Sequence, residues 1–538
     1  GHLKLLKYGL TMDISLIMLY PRKKLKDYLM MKSAEEYRES LRALKPRIYL
    51  GGSLIESVAD EPRFEPGINA TGITYDFALV DDLKSTMTTS GLDGKPTNRF
   101  LAINRSRADL QDKLEAVRLT CKVAGCAQRY LTHDAFNALF EATWLINETY
   151  GGENHARLLD YIQYAQTNDL SIGIAMTDGK GDRSKRPSEQ DQPDSYVHVI
   201  ERRSDGIVIS GVKAIITGGP YMHELLVMPC RRMDKHEKDF AVACAVPIDA
   251  AGITIVSRPA GRPGNPAAKF SAKFAQAVAV AHFDNVFVPY DRVFIDGETE
   301  EAHLMTTNYA THHRHSCIGA RAGFGDLLIG AGAMMAQANG LDYLKVPHLR
   351  EKMVELIKIT EGFYACGIAS STMGVHDAAG NFRPDQIYAN IGKLLLANQI
   401  YDMHRLAHDV SGGLVVALPG PEEDHNPVTS AILSDVLRGH PDVPYEHRAN
   451  VSRFIEDLTA SETGGWYSVI SLHGGGSPEA MKLEILRNYD IEARSDLVQA
   501  LFDRGALEMG KGIKVDRQPG RCCAKGCQGD GLVSGKDT

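Results

Sequence analysis

Gly206-Ile-Val-Ile-Ser-Gly-Val-Lys-Ala-Ile-Ile-Thr217 is the stretch on which the fold turns. Val and Ile dominate it, glycines interrupt it, and a hydroxyl followed by two more glycines ends it, which is the composition of a strand and its turn. Similar Val-, Ile- and Ala-rich runs follow at 223–229, 240–247, 253–257 and 277–288, separated by Gly, Pro and Asp turns. Together they predict a middle domain of antiparallel β structure. On both sides the period becomes helical. Upstream, Leu114, Val117, Leu119 and Val123 lie near one face, and Phe136, Leu139, Phe140 and Trp144 recur at helical spacing. Downstream, 327–336, 349–373, 386–410 and 451–458 are long enough for bundle helices. The reading is an α+β chain with an N-terminal helical domain (31–169), a β domain (170–295) and a C-terminal helical domain (296–512).

The 538 residues are 43% hydrophobic and 24% charged, ordinary globular composition with material for a large core. A net charge of -8 gives no general attraction to polyphosphate, so nucleic acid is not expected as a partner. No apolar run reaches the ~18 residues of a membrane helix, and no secretory signal opens the chain. The expectation is a cytoplasmic protein with no membrane partner. Nine cysteines, an odd and scattered set, read as thiols or ligands and not as a disulfide framework.

The two ends carry expectations of their own. Gly1 and His2 read as a remnant of cloning and residues 1–30 as a tag or poorly ordered leader, with Met30 or Met31 as the natural start. The alternative is an amphipathic arm whose apolar part is 14–20. Residues 513–538 form a Cys-containing tail, in which Cys522, Cys523 and Cys527 read as an oxidation-prone end unless a further metal ligand comes from elsewhere.

Chemistry concentrates at Ala175-Met-Thr-Asp-Gly-Lys-Gly-Asp-Arg183 and the following Ser184-Lys-Arg-Pro-Ser188. Glycines allow close approach to a ligand, Thr177 and Ser188 offer hydroxyls, and Lys180, Arg183, Lys185 and Arg186 offer charge for a pyrophosphate. Read alone, this is equally a solvated basic turn. Downstream, Lys213-Ala-Ile-Ile-Thr-Gly-Gly219 ends a strand with a hydroxyl and free backbone N–H groups, or is an ordinary Thr-Gly turn. No G-x-G-x-x-G opens a βαβ unit, so a Rossmann site is not indicated.

These stretches, with Asp134-Ala-Phe-Asn-Ala138, Phe283-Asp-Asn-Val-Phe287, Gly323-Phe-Gly-Asp326, Asp409-Val-Ser-Gly-Gly-Leu414 and His473-Gly-Gly-Gly-Ser-Pro478, resemble the 4-hydroxybutyryl-CoA dehydratase branch of the 4-hydroxyphenylacetate 3-hydroxylase family over roughly 33–496. The order of helices, β domain and helices is similar to the acyl-CoA dehydrogenase plan. The resemblance implies a homotetramer that binds FAD through Met176, Thr177, Lys180, Asp182, Arg183, Ser188 and Thr217, and through Ser461 and Gly464, often from a neighbouring subunit.

The same resemblance exposes departures. The dehydratase holds a 4Fe–4S cluster with three Cys and one His; here the matching positions are Cys126, Tyr130, His313 and Ala320, so a cluster is not expected. Its tyrosine and glutamate of proton transfer fall at Cys317 and Ile470. The phenol-gripping Arg, Tyr and His of the monooxygenases fall at Leu114, Arg118 and Ile174. Near the expected flavin face remain Arg118, Cys126, Tyr130, Thr217, His313, Arg314, His315, Cys317 and Arg321. His312, His313 and His315 lack the spacing of a zinc site, so no metal is assigned.

Three function classes follow. The first is FAD-dependent chemistry on a small-molecule substrate, a CoA thioester or related acid, by isomerisation, dehydration or redox. The second is FADH2-dependent aromatic hydroxylation, and the third a non-catalytic flavoprotein. In the first, His313 is expected to be a free imidazole near its ordinary pKa of about 6.5, serving as base while Arg321 or Arg118 favours the enolate.

Overall fold

The computed structural model describes residues 31–503, so the leader and the Cys522, Cys523 and Cys527 tail lie outside the described residues. The deciding strand runs Gly206–Thr217, as read. It is the fifth of six in a sheet ordered Ser53–Leu54, Ile48–Leu50, Ile253–Ser257, Val278–Pro289, Gly206–Thr217, His198–Arg202. A second sheet is ordered Val293–Asp296, Val242–Pro247, Glu224–Val227, Ile172–Ala175.

Neither sheet is wholly antiparallel, which corrects the expectation. Ile48–Leu50 runs parallel to Ile253–Ser257, and Ile172–Ala175 parallel to Glu224–Val227. Parallel neighbours need long connections. The path from Leu50 to Ile253 passes through the first helices and much of both sheets, so no turn in the sequence announces the pairing.

Three large apolar cores and one small one hold the described residues together. Ile48, Ile209, Ile255 and Phe283 of the larger sheet pack with Tyr37, Leu41, Ile68 and Tyr75 of helices Ala34–Arg42 and Glu65–Leu79. Ile172, Leu226, Ala243 and Phe294 of the smaller sheet pack with Phe136, Leu139 and Ile162 of helices Tyr130–Tyr150 and Asn154–Thr167. The third core is helical: Ile318, Leu356, Leu396 and Ile455 come from Thr299–Ala338, Pro347–Thr372, Gln386–Ser411 and Tyr445–Thr459.

Leu114 and Val117 of the upstream helix Arg107–Ala124 belong to that same third core. The approach is close because Gly323 lies at the crossing; a Cβ there would stand 2.6 Å from the Arg118 carbonyl oxygen. Any side chain would push the two helices apart, and each large apolar residue so exposed forfeits about 1.5–3 kcal/mol.

Thr299–Ala338 is a single helix of 40 residues, although the apolar period marks only its second half. The first half buries Thr311, His312, Arg314, His315 and Ser316. A polar buried face has no hydrophobic stripe to read, yet its groups need partners: Thr311, Arg314, His315 and Ser316 are hydrogen-bonded, while His312 Nδ1 is buried without a partner among the described residues.

Candidate active site

Thr217, at the end of the deciding strand, lines a cavity between the larger sheet and the helical core. Cys126, Gln128 and Tyr130 reach it from the start of helix Tyr130–Tyr150 and the turn before it. His313, Cys317, Ala320 and Arg321 reach it from Thr299–Ala338, and Lys393 from Gln386–Ser411. Trp466, Ile470 and Ser471 of helix Glu462–His473 close it. Tyr130, Cys317, Ala320 and Ile470, the positions at which the resemblance implies departures from the dehydratase pattern, thus surround one space.

The polar groups here are interlocked. His313 and Cys317 are four residues apart on one helix and therefore share a face, with Nε2 and Sγ 3.6 Å apart. The other ring nitrogen, Nδ1, lies 3.3 Å from Asp134 Oδ2. Asp134 is wholly buried and also accepts from Ser316 at 2.7 Å and Lys113 at 3.4 Å. Burial opposes the charged form of the imidazole, but the sulfur and carboxylate beside it prevail and raise its pKa. Burial likewise pushes the Cys317 thiol up, and His313, Lys393 and Arg321 outweigh it and bring the thiol below its ordinary value. The free His313 of the sequence reading is thus corrected: both nitrogens are occupied, and the pair favours imidazolium and thiolate.

Two further cations face the cavity. Arg321 donates to the Gly125 carbonyl at 3.4 Å. Lys393, donating to the Ser471 carbonyl at 2.5 Å, is lowered to about 8, first by burial and then by Arg321 and Arg314, against the pull of Cys317. On the other side, the Cys126 sulfur lies 3.6 Å from the Tyr130 hydroxyl. The Gln128 side-chain nitrogen is buried without a partner among the described residues.

The basic, glycine-containing loop after Ala175 is tied to the deciding strand. Ala214 N donates to Thr177 O at 2.6 Å, and Asp178 bridges to Lys213. Lys213 is buried, donates to the Met176 and Met228 carbonyls, and pairs with Asp178 at 2.6 Å, so its charge is consumed. Arg186 pairs with Glu237, Lys185 with Asp191, and Ser188 donates to Glu237 at 3.0 Å. Asp182 caps Ser184 within the loop. Of the basic set, Lys180, at φ 68°, and exposed Arg183 make no side-chain hydrogen bond or ion pair among the described residues.

Several expected residues are elsewhere. Arg118 is clamped by Asp326 at 2.8 Å and Glu361 at 2.5 Å over the Tyr364 ring, and does not line the cavity. Arg314 donates to Gly475 O and Asn390, and His315 bonds Lys113 and Ser371. Ser461 caps helix Glu462–His473, accepting from Thr463 and Gly464. Gly464 is pressed against Thr459, where a Cβ would come within 2.5 Å of its carbonyl carbon. These two set the angle of the helix that carries Trp466 and Ile470, and do not themselves reach the cavity.

The described residues contain no group of three or more His, Cys, Asp or Glu arranged to hold a metal ion. Ala320 offers no donor atom and the Tyr130 hydroxyl is engaged with Cys126, so the donor set does not fit a four-ligand cluster.

Two family models describe nearly the whole of this architecture: 4-hydroxyphenylacetate 3-hydroxylase N terminal over residues 33–295, and its C-terminal counterpart over 302–503. The chain belongs to the 4-hydroxyphenylacetate 3-hydroxylase family. Within the family it is 37% identical to 4-hydroxybutyryl-CoA dehydratase/vinylacetyl-CoA-Delta-isomerase of Clostridium aminobutyricum, covering 88% of this chain and 99% of that protein. The solved oxygen-tolerant archaeal 4-hydroxybutyryl-CoA dehydratase from N. maritimus is 34% identical, with a TM-score of 0.85 over 90% of this chain and 99% of that one. The oxygenase component of 4-hydroxyphenylacetate 3-monooxygenase complexed with FAD shares the fold at 21% identity, with a TM-score of 0.78 over 90% of this chain and 100% of that one.

Sequence reading did not find Asp134 as a partner of His313, nor Lys393, nor Gln128 as cavity residues. Asp134 stood in a family motif, the one available signal. Lys393 sits in an unremarkable helical repeat, where only the fold reveals that its amine faces inward.

Proposed function

We propose that this chain is a FAD-dependent enzyme that moves a double bond in a CoA thioester or related small acid by proton transfer. The observation that carries the reading is the single cavity joining Thr217 of the sheet to Cys317, His313, Arg321 and Lys393 of the bundle. The dehydratase/isomerase relative supports the substrate class. The order of helices, sheets and helices supports the acyl-CoA dehydrogenase plan, and a cytoplasmic homotetramer goes with it. No helix of the described residues is long and apolar enough to cross a membrane.

The residues fit FAD. Gly218, at φ 75°, turns the chain after Thr217 where a Cβ would meet Met222 at 2.4 Å. The unpartnered Gln128 nitrogen beside it offers a donor, and Lys180 and Arg183 offer unpaired charge for a pyrophosphate. When bound, FAD would supply a flat redox-active ring against which an acyl chain can be ordered.

The chain's own groups account for the proton work. The α-hydrogen of a thioester is already acidified, and Arg321 and Lys393 provide positive charge for the enolate oxygen in a cavity lined largely by buried side chains. A base on one face of the chain removes that proton and returns it at the γ-carbon. Dehydration of a 4-hydroxyacyl thioester asks for more, the removal of an unactivated β-hydrogen, and Ala320 and Ile470 leave no group for it.

Absorbance titration of the flavin-loaded protein with acyl-CoAs and phenols tests the reading. Perturbation by β,γ-unsaturated acyl-CoAs and their conversion to the conjugated isomers are expected. Oxygen uptake with reduced flavin and a phenol, with no response to any CoA thioester, would assign hydroxylation instead.

A further inference from the structure

Asp134, His313 and Cys317 stand in line. Asp134 Oδ2 is 3.3 Å from His313 Nδ1, and His313 Nε2 is 3.6 Å from Cys317 Sγ, at the cavity wall. The imidazole ring is nearly parallel to Tyr309 on one contact, with centroids 5.5 Å apart, and to Tyr130 on another, at 6.3 Å. With its plane held by two rings and both nitrogens engaged, His313 has no lone pair to offer a substrate. Cys317 has: its sulfur meets one hydrogen-bonding partner, His313, and otherwise faces the cavity.

We propose that Cys317 is the residue that takes the substrate proton and returns it, with His313 and Asp134 as positioning residues that hold the sulfur ready. The proposal rests on the acyl-CoA reading of the cavity and names its base. The step balances without an oxidant or co-reactant. The Cα–H bond breaks, its electron pair enters the enolate, and the proton goes to sulfur. The S–H bond then breaks as the proton joins Cγ, the double bond comes to lie between Cα and Cβ, and the sulfur ends as it began.

Charge around the sulfur comes from every element packed on it. Lys393 faces it from Gln386–Ser411, and Arg321 and Arg314 from its own helix. Cys126 and Tyr130 face it from the start of Tyr130–Tyr150, and Lys113 acts from Arg107–Ala124 alongside Asp134. The helix Glu462–His473 brings only the uncharged Trp466, Ile470 and Ser471 to the cavity. The cations outnumber the anions, which suits a thiolate while the site is empty and an enolate when it is filled.

Two measurements on the full-length, FAD-loaded protein test this. Iodoacetamide labelling of Cys317, followed by peptide mass spectrometry across pH, is expected to stay fast well below the pH at which ordinary thiols slow, and to fall at least about tenfold near pH 6.5 in His313→Gln. Deuterium exchange from D2O into the α-carbon of 3-butenoyl-CoA, followed by NMR, is expected to fall about a hundred- to ten-thousandfold in Cys317→Ala, with FAD content and the acyl-CoA spectral shift retained. Cys317→Ser covers the case in which the alanine variant loses FAD, and the same loss is expected of it. Wild-type exchange in either flavin-loaded variant, or an ordinary thiol profile untouched by His313→Gln, overturns the assignment while the acyl-CoA reading stands. A wild-type protein that neither exchanges nor shifts its spectrum with any CoA thioester sinks that reading, and this one with it.

Discussion

Asp178 and Lys213 form a buried ion pair, 2.6 Å between Oδ1 and Nζ, that fastens the glycine-containing loop to the strand ending at Thr217. Asp178 Oδ1 also accepts from Val197 N at 3.0 Å, and Lys213 donates to two carbonyls, so each charge is compensated. Removing one partner strands the other in a low-dielectric interior. Lys213→Met is therefore expected to cost about 3–5 kcal/mol of unfolding free energy and to release FAD, whereas a double Asp178→Asn, Lys213→Met variant recovers part of the stability. Urea denaturation of the double variant and of both single variants, with flavin release as a second probe, checks both; a double-variant cost equal to the sum of the single-variant costs would show that the pair is not coupled.

Arg183 and Lys185 differ in what already holds them. Arg183 is exposed and unpaired among the described residues, while Lys185 is 2.7 Å from Asp191. Arg183→Glu is expected to weaken FAD binding roughly ten- to a hundredfold, the scale of one lost charge-assisted hydrogen bond, and Lys185→Glu far less. Titration of apoprotein with FAD, read by flavin fluorescence, decides between the two. A larger loss at Lys185 would mean that the loop binds through its other half.

Tyr130 and Ala320 occupy positions where the dehydratase resemblance implies thiolates. Anaerobic purification followed by iron and acid-labile sulfide assay is expected to find no cluster on this scaffold. About four irons per subunit that disappear in Cys126→Ala would overturn the alignment on which that expectation stands.

Asp377 gives a pH dependence of stability whose sign is fixed by its surroundings. Burial, then the neighbouring Glu141, raises its pKa to about 7 from 3.8, while the backbone N–H groups of Asn381 and Ala379 pull the other way. A carboxyl raised on folding binds more protons folded than unfolded between these values, so its contribution worsens as pH climbs through that window and the penalty is complete above about 7. Asp377→Asn, which keeps the acceptor for those N–H groups, is expected to raise Tm at pH 8 and to change it little at pH 4. A larger gain at low pH would reverse the assignment. The residue is partly exposed, so the gain is a small one.

Much of this protein was legible from short-range pattern. The strand Gly206–Thr217, the helices on either side and the basic loop at 176–183 each announce themselves within a dozen residues, because period, turn chemistry and glycine are local properties of a chain. The α+β class follows from that alone, whereas the basic loop, read alone, was equally a solvated turn. What the tertiary structure decided lies between distant segments. Asp134 reaches His313 across 179 positions, and Lys393 meets the carbonyl of Ser471 across 78. The parallel pairing of Ile48–Leu50 with Ile253–Ser257 is equally remote. The state of His313 and Cys317 depends on those neighbours more than on their own chemistry, since burial and charge at a few ångströms outweigh intrinsic pKa differences. Residue types and spacing name the groups available; only the folded chain determines which of them face one another.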